Sequence, residues 1–333
     1  MRILIRATNW LGDAVMCLPA IRAIRDNFRD SEVSVLVKHS IAELYLRESA
    51  VDQVIPYDGH RFRTASRLRE RRFQLGILFP NSFDSALVFK LARIPRVVGY
   101  NRDGRGLLLS DAIPYTKPKV AIHERYYYLE LLQKAGLIDA HHGTDEPIRL
   151  ECAPAAAVAG REQFSRMAVK LPVVGVSPGA AYGGAKRWLP DRFAAAASKL
   201  ALEMGGSVAI FGAPGDEDAC AEVEKLIQGV PAVNLACKTS LREFIDLAAA
   251  CSAYLTNDSG SMHIASALDI PTVAIFGATN HITTGPAGAL STVVREPVPC
   301  SPCMKRECPI DHPCMTGVSA ERVVSAAMKL IQL

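Results

Sequence analysis

Short apolar segments alternate with amphipathic helical segments along the chain, and this alternation limits the fold more than any other feature. In the first half, strand patterns are predicted over residues 2–7, 32–37, 51–55, 75–79 and 96–99. Helical patterns are predicted over residues 14–28, 64–72, 82–92 and 123–135. Strands that alternate with helices form a parallel sheet with helices on both faces. The first half is therefore predicted to be an α/β domain.

The alternation restarts after residues 136–154, a polar stretch rich in His, Gly, Asp and Pro that is typical of a linker and could include the helical segment 155–167. Further strand patterns are predicted over residues 173–176, 207–211, 253–256 and 272–276. Further helical patterns are predicted over residues 190–204, 216–227, 240–249, 261–267 and 319–332. A chain of 333 residues can form two domains. We predict two Rossmann-like domains, 1–154 and 155–333, whose parallel sheets face a cleft and bind ligands at the carboxyl ends of their strands.

The composition is that of a globular protein, and the net charge of +4 is too small to indicate a nucleic-acid partner. No run of about 18 apolar residues could span a bilayer. The polar residues Arg6, Asn9 and Asp13 interrupt the first apolar run, which favours a buried strand over a signal peptide. We therefore expect a cytoplasmic protein with reduced thiols. Its scattered cysteines are expected to pack as small apolar groups: Cys17, Cys152, Cys220, Cys237 and Cys251.

Residues 60–72 contain six arginines. This segment is either a solvated helix face or a surface that binds an anionic acceptor or a lipid headgroup. The sequence leaves both interpretations open.

The loop after the first predicted strand, residues 7–13, ends in Gly12 and Asp13. It lacks the G-x-G-x-x-G pattern, which disfavours a dinucleotide-dependent oxidoreductase. Asp13 either offsets the dipole of the helix that it opens or acts as a general base on a substrate hydroxyl.

A glycine-rich segment, residues 176–188, follows the first strand of the second half and includes Ser177 and Gly179. Its glycines leave backbone N–H groups open to an anion, while Lys186 and Arg187 add positive charge. The G-K-[ST] ending of a Walker A loop is absent. We interpret this segment as a diphosphate-binding loop.

A third cluster, residues 255–263, follows a strand and opens a short helix. Thr256, Ser259 and Gly260 lie near the helix N-terminus, where N–H groups point outward and can bind an anion. Asp258 would repel a phosphate, so it is expected to accept hydrogen bonds from a sugar or to order the loop amides. His263 either faces the ligand or packs in the core.

The final cysteine cluster consists of Cys300, Cys303, Cys308 and Cys314, with His312 among them. These are zinc-ligand types, although their spacing fits no standard zinc finger. Free thiols packed in a compact loop, or disulfides formed on isolation, are the other interpretations, and no catalytic role is expected.

The three motifs in this order resemble those of the ADP-heptose:lipopolysaccharide heptosyltransferases, glycosyltransferase family 9. The resemblance extends from Met1 to beyond Cys314. The cysteine segment, residues 300–315, and the Trp10–Asp13 loop are most similar to the branch of the family that adds the second heptose.

The resemblance implies a GT-B fold whose N-terminal domain binds the acceptor and whose C-terminal domain binds ADP-L-glycero-D-manno-heptose. It implies that Asp13 is the base, and that Lys186 contacts the donor phosphates. Asp258, Gly260 and His263 match the donor-site loop. Either Asp216 or Glu217 corresponds to an acid near the nucleoside, and the resemblance does not say which.

The activity implied is an inverting, metal-independent transfer of heptose to the heptosyl-Kdo-lipid A inner core of lipopolysaccharide. Such an acceptor implies peripheral contact with the cytoplasmic face of the inner membrane. The alternatives are a first-heptose or other family 9 transferase, a nucleotide-sugar epimerase on a similar fold, and a non-catalytic binding protein.

Overall fold

The computed structural model describes residues 1–139 and 146–332. The chain divides into two compact units, Met1–Glu146 and Pro147–Leu333. We predicted the boundary after Pro154, which lies within the second unit. Part of the predicted linker, residues 140–145, lies outside the described residues.

The first unit is built on a parallel sheet in the order β3-β2-β1-β4-β5-β6. Its strands are Arg2–Arg6 (β1), Glu32–Lys38 (β2), Gln53–Tyr57 (β3), Leu75–Leu78 (β4), Arg96–Tyr100 (β5) and Asp111–Ile113 (β6). Its α-helices are Leu11–Met16 (α1), Leu18–Asn27 (α2), Arg61–Glu70 (α3), Phe83–Leu91 (α4) and Arg125–Lys134 (α5). Short 3₁₀ helices cover His39–Leu44 and Gly106–Leu108.

The second unit repeats this topology, with parallel strands in the order β12-β11-β10-β7-β8-β9. Its strands are Val173–Ser177 (β7), Ser207–Ile210 (β8), Ala232–Asn234 (β9), Ala253–Asn257 (β10), Thr272–Phe276 (β11) and Ser291–Arg295 (β12). Its first four α-helices are Ala153–Arg166 (α6), Pro190–Met204 (α7), Glu217–Leu226 (α8) and Leu241–Ala249 (α9). The others are Gly260–Ala267 (α10), His281–Thr284 (α11), Pro313–Thr316 (α12) and Ala320–Ile331 (α13), and a 3₁₀ turn covers Gly184–Lys186.

The central strands of both sheets are buried on both faces, which explains why they are apolar. Ile3, Leu4 and Ile5 of β1 have no exposed surface, and neither do Val174 and Val176 of β7. In each sheet the strand order reverses between two neighbours, β1 and β4 in the first unit and β7 and β10 in the second. Ligands of such sheets bind at the carboxyl ends of these strands. The loops after β1, β4, β7 and β10 are therefore the first places to look for a site.

The predicted helix 14–28 is two helices that meet at Cys17. Pro19 lies in the first turn of α2, where its missing N–H costs nothing, so a new helix begins there. The three-residue strands β6 and β9 were not predicted, because three residues are too few for an apolar period to be recognised. Of the helices in the described residues, none combines the length and the apolarity that crossing a membrane requires.

The arginine-rich helix α3 is amphipathic. Thr64, Ala65 and Leu68 are buried, and the arginines between them point outward. Three of these arginines contact neighbouring parts of the same unit. Arg61 forms an ion pair with Asp84, Arg63 pairs with Asp58, and Arg69 donates to the Leu91 carbonyl at 2.7 Å. This is the geometry of a solvated face, and it leaves a strongly basic surface.

Candidate functional site

The side chain of Asn257, at the end of β10, joins the two loops that the sequence singled out in the second unit. Its Oδ1 accepts a hydrogen bond from the Trp188 backbone N–H at 2.9 Å, and its Nδ2 donates to the Pro178 carbonyl at 2.7 Å. Asn257 is fully buried. The glycine-rich loop, defined here as residues 178–187, is thereby held at both ends against β10. Asn257 was not predicted to be a site residue, although it lies within the third motif, residues 255–263.

Lys186 and Asp258 form an ion pair in which Nζ and Oδ2 are 2.6 Å apart. Only 14% of the lysine side chain and 5% of the aspartate side chain are exposed. The Thr279 hydroxyl donates a second hydrogen bond to the same carboxylate oxygen. The carboxylate that would repel a phosphate is therefore neutralised by the lysine, a pairing that was not predicted from the sequence.

The Lys186 ammonium also lies over the ring of Tyr182, 4.8 Å from its centroid. An ammonium at this distance is attracted to the ring face. Lys186 is thus held by a carboxylate and an aromatic ring. An ammonium has three N–H donors, so an ion pair with one carboxylate oxygen does not exhaust its capacity to bind an anion.

Helix α10 begins immediately after this ion pair. The hydroxyls of Thr256, Ser259 and Ser261 bond to one another at 2.7–3.4 Å, and the N-cap residue Ser259 makes no side-chain cap bond. The backbone N–H groups of the first turn, from Gly260 onward, therefore lack the usual side-chain cap. Such a helix terminus attracts anions.

Two predicted donor-site residues face the interior of the unit. The Ser177 hydroxyl is 2.7 Å from the Tyr254 hydroxyl, and both side chains are buried. His263 is 4% exposed within α10. Both side chains are therefore buried, as that of Asp258 is, and their roles in donor binding stay predictions.

Asp216 packs directly on Gly179. A Cβ at position 179 would lie 2.0–2.3 Å from the Asp216 carboxylate, so only glycine permits this approach. The carboxylate accepts the Ala213 N–H at 3.2 Å and lies 3.6 Å from an Arg187 nitrogen. Burial raises the pKa of Asp216, and the Arg187 charge partly opposes this effect. Asp216 is thus tied to the glycine-rich loop.

Glu217 is exposed, and its side chain contacts different groups from those around Asp216. Its carboxylate accepts the Gly215 N–H at 2.6 Å and the Cys237 thiol at 3.2 Å. Backbone N–H groups, its own first, lower the pKa of Glu217. Asp216 and Glu217 are therefore distinct in environment, although they are adjacent in sequence.

A cavity of about 420 Å³ adjoins the glycine-rich loop. It is lined by Pro178, Arg187, Trp188, Leu189, Pro190, Asp218, Ala219, Glu222, His312 and Thr316. Two carboxylates border it, which suits a group that donates hydrogen bonds better than it suits a phosphate.

In the first unit, Asp13 lies in the first turn of α1, after β1. It is half-buried, and its Oδ1 accepts a hydrogen bond from the Tyr128 hydroxyl at 3.3 Å. Burial raises the pKa of Glu124, and the negative charge of Asp13 raises it further. The carboxylate of Asp13 is therefore oriented by a tyrosine and close to a second acid. This geometry is compatible both with a helix-dipole acid and with a base.

Arg105 supports the loop that follows β4. It is fully buried and donates to the carbonyls of Pro80 and Tyr100 and, at 3.2 Å, to the Asn81 side chain. Burial lowers the pKa of Arg105 to about 10. The Tyr127 hydroxyl donates to the same Asn81 oxygen at 2.9 Å. None of these residues was predicted from the sequence. Asn81 and Arg105 follow predicted strands, whereas Tyr127 lies within the predicted helix 123–135.

The four cysteines of the final cluster are free thiols. Cys314 is buried, and its pKa is raised first by burial and then by Cys300, Cys308 and Cys303. Within residues 1–139 and 146–332, no three His, Cys, Asp or Glu side chains are arranged to hold a metal ion. The zinc interpretation of this cluster therefore finds no support in the arrangement of its thiols.

We expect the Lys186→Met variant to lose about 3 kcal/mol of unfolding free energy, because it leaves the Asp258 carboxylate buried without its cation. The Lys186→Met/Asp258→Asn double variant should lose less than the sum of the two single variants. Denaturant unfolding of the four proteins measures this coupling. Lys170→Met, at an exposed lysine, is the matched control and should stay within about 0.5 kcal/mol of the wild type. Strict additivity would mean that the pair does not stabilise the fold.

The sequence model of the family described as Glycosyltransferase family 9 (heptosyltransferase) matches residues 61–313. Lipopolysaccharide heptosyltransferase 2 of Salmonella typhimurium is 32% identical, over 89% of this chain and 88% of that protein. Lipooligosaccharide heptosyltransferase 2 of Haemophilus influenzae is 31% identical over the same shares. The predicted enzyme class, glycosyltransferase, is confirmed by these matches.

The structure of Escherichia coli ADP-heptose lps heptosyltransferase II superimposes with a TM-score of 0.85 at 28% identity, covering 100% of this chain and 99% of that one. An Escherichia coli heptosyltransferase with ADP shares the fold at 18% identity, with a TM-score of 0.74, covering 99% of this chain and 100% of that one. The predicted α/β fold of the GT-B type, with two parallel sheets, is confirmed. With its family model matched over most of its length, the chain belongs to glycosyltransferase family 9, the heptosyltransferases.

Proposed function

We propose that this protein transfers L-glycero-D-manno-heptose from ADP-heptose to the heptosyl-Kdo-lipid A inner core of lipopolysaccharide, adding the second heptose. The observation that carries the proposal is the meeting of three anion-binding features: the uncapped N-terminus of α10, the remaining N–H donors of Lys186, and Arg187. The loops after β7 and β10 meet there, and a sugar diphosphate is the ligand that suits the charge. The relatives named heptosyltransferase 2 support the choice of sugar and step.

In the proposed reaction, a hydroxyl of the acceptor heptose attacks the anomeric carbon of ADP-heptose while the bond to the diphosphate breaks. Asp13 accepts the hydroxyl proton as the new bond forms. A single displacement inverts the anomeric configuration, and the sugar passes through an oxocarbenium-like state. The Tyr128 hydroxyl holds the Asp13 carboxylate in place for this proton transfer.

The departing ADP gathers negative charge, which Lys186, Arg187 and the α10 backbone amides are suited to stabilise. Because these groups belong to the protein, the proposed reaction requires no metal or other cofactor. Lys186 keeps N–H donors beyond the one given to Asp258, so the ion pair and a phosphate can be bound together.

For the nucleoside, we assign hydrogen bonds with the ribose hydroxyls to Glu217. Its carboxylate is exposed, whereas the Asp216 carboxylate is half-buried, packs against Gly179 and lies beside Arg187. Asp216 then acts on the donor only through the shape of the glycine-rich loop.

We also propose that the basic face of α3 binds the anionic acceptor at the cytoplasmic face of the inner membrane. Arg67 and Arg69 lie on this face, and such residues contribute about 1 kcal/mol each near an anionic surface. The fraction of the protein that sediments with anionic vesicles should therefore fall steeply between low and high salt. The fall should be less steep for the Arg67→Gln/Arg69→Gln variant. Vesicle binding that does not depend on salt concentration would contradict this proposal.

The decisive experiment is ADP release from ADP-heptose without added metal, with and without heptosyl-Kdo-lipid A. Release that needs this acceptor supports the second-heptose step. Release only with Kdo-lipid A, which lacks the first heptose, would keep the class and change the step to the first heptose. No release with either acceptor would refute the proposal.

We expect Asp13→Asn to reduce kcat by about 10²–10⁴-fold, since an amide cannot accept the proton, and to leave the Kd for ADP nearly unchanged. Asparagine keeps an oxygen for the Tyr128 hydroxyl, so the fold should be preserved. Asp30→Asn, at an exposed aspartate of the same unit, is the control. A loss of ADP affinity as large as the loss of kcat would argue against Asp13 as the base.

A further inference from the structure

The cysteine segment, residues 300–315, is the one sequence motif that the proposed reaction leaves without a role. It lies against the glycine-rich loop. The Tyr182 hydroxyl donates to the Met304 carbonyl at 2.7 Å, and the Ala185 N–H donates to the Arg306 carbonyl at 2.8 Å. These contacts join residues more than 100 positions apart in the chain.

Two further contacts extend this docking. The Glu307 carboxylate accepts the Gly184 N–H at 3.0 Å. The His312 Nε2 donates to the Ala185 carbonyl at 2.9 Å. The backbone groups of Gly184 and Ala185 are therefore hydrogen-bonded to the cysteine segment.

The approach is so close that the loop requires glycine at position 183. A Cβ at Gly183 would lie 2.4 Å from the Arg306 carbonyl oxygen, and the backbone φ of Gly183 is +150°. A Cβ at Gly184 would lie 2.5 Å from a Glu307 oxygen. Gly183 therefore lets the cysteine segment touch the loop, and the N–H groups of Gly184 and Ala185 are occupied by that segment instead of being open to an anion as predicted.

The cysteine segment also influences the position of Lys186, because it contacts Tyr182 and the ring of Tyr182 contacts the lysine. The bond to Met304 fixes the tyrosine ring, and the Lys186 ammonium lies over that ring at 4.8 Å. The Arg306 guanidinium lies 5.5 Å from the same ring centroid. The position of the lysine that we assign to the donor diphosphate thus depends on the cysteine segment as well as on Asp258.

We propose that the cysteine segment is a positioning element of the donor site, with Glu307 and Tyr182 as its positioning residues. A loop rich in glycine loses much conformational freedom when it is ordered. Contacts that order the loop before ADP-heptose arrives remove that cost from binding. This inference rests on the proposed function, because it assigns the donor phosphates to the glycine-rich loop.

The test is the Kd for ADP of Glu307→Ala and Tyr182→Phe, by calorimetry, with steady-state kinetics beside it. Loss of one loop-ordering hydrogen bond should raise the Kd for ADP and the KM for ADP-heptose about fivefold. The kcat and the KM for the acceptor should change less than about twofold, since the bound loop has the same geometry. Glu307→Gln keeps an oxygen for the Gly184 N–H and should restore most of the affinity.

Glu203→Ala, at an exposed glutamate in α7, is the matched control and should bind ADP as the wild type does. A merely structural role for Glu307 would lower the melting temperature and affect both substrates alike. Wild-type affinity for ADP in both Glu307→Ala and Tyr182→Phe would overturn the inference while leaving the proposed function intact. A wild-type protein that binds no ADP would instead refute the proposed function, and the inference with it.

Discussion

The ion pair between Lys186 and Asp258 is the interaction on which the proposed donor site depends. A carboxylate at the start of a helix competes with any anion for the same positive potential. Here the lysine and the Thr279 hydroxyl satisfy that carboxylate within the protein. The helix N-terminus and Arg187 remain to balance a diphosphate. Because the pair is buried, the loss of either partner would leave an uncompensated charge in the interior, which lowers the free energy of unfolding by several kcal/mol.

The sheet topology decides where such a pair can form. Both units have the same doubly wound order, and in each the loops after the two neighbouring central strands project from one edge. In the second unit, Asn257 ties these loops together through two hydrogen bonds. In the first unit, Asp13 follows one of the equivalent strands and Asn81 follows the other. In the proposed reaction, each unit uses this edge of its sheet for a different chemical task.

The glycine-rich loop is supported from two directions. Asp216 packs against Gly179 on one side of the loop. On the other side, the cysteine segment forms hydrogen bonds with Gly184 and Ala185. Glycine is needed at positions 179 and 183, because other protein groups approach the backbone closely there. A loop that sequence patterns present as flexible is therefore held by its neighbours before any ligand binds.

The sequence by itself determined the α/β class, most of the strands and the loops that carry the site, because apolar periodicity and glycine placement are local properties. It also determined that Asp13, Lys186 and Asp258 each follow a strand. Only the tertiary structure decided that Asp258 pairs with Lys186, that Ser177 and His263 are buried, and that the cysteine segment holds the glycine-rich loop. Each of these contacts joins residues that are distant in sequence or depends on which way a side chain turns. The strand order and the packing of loops set such pairings, and no local pattern records them.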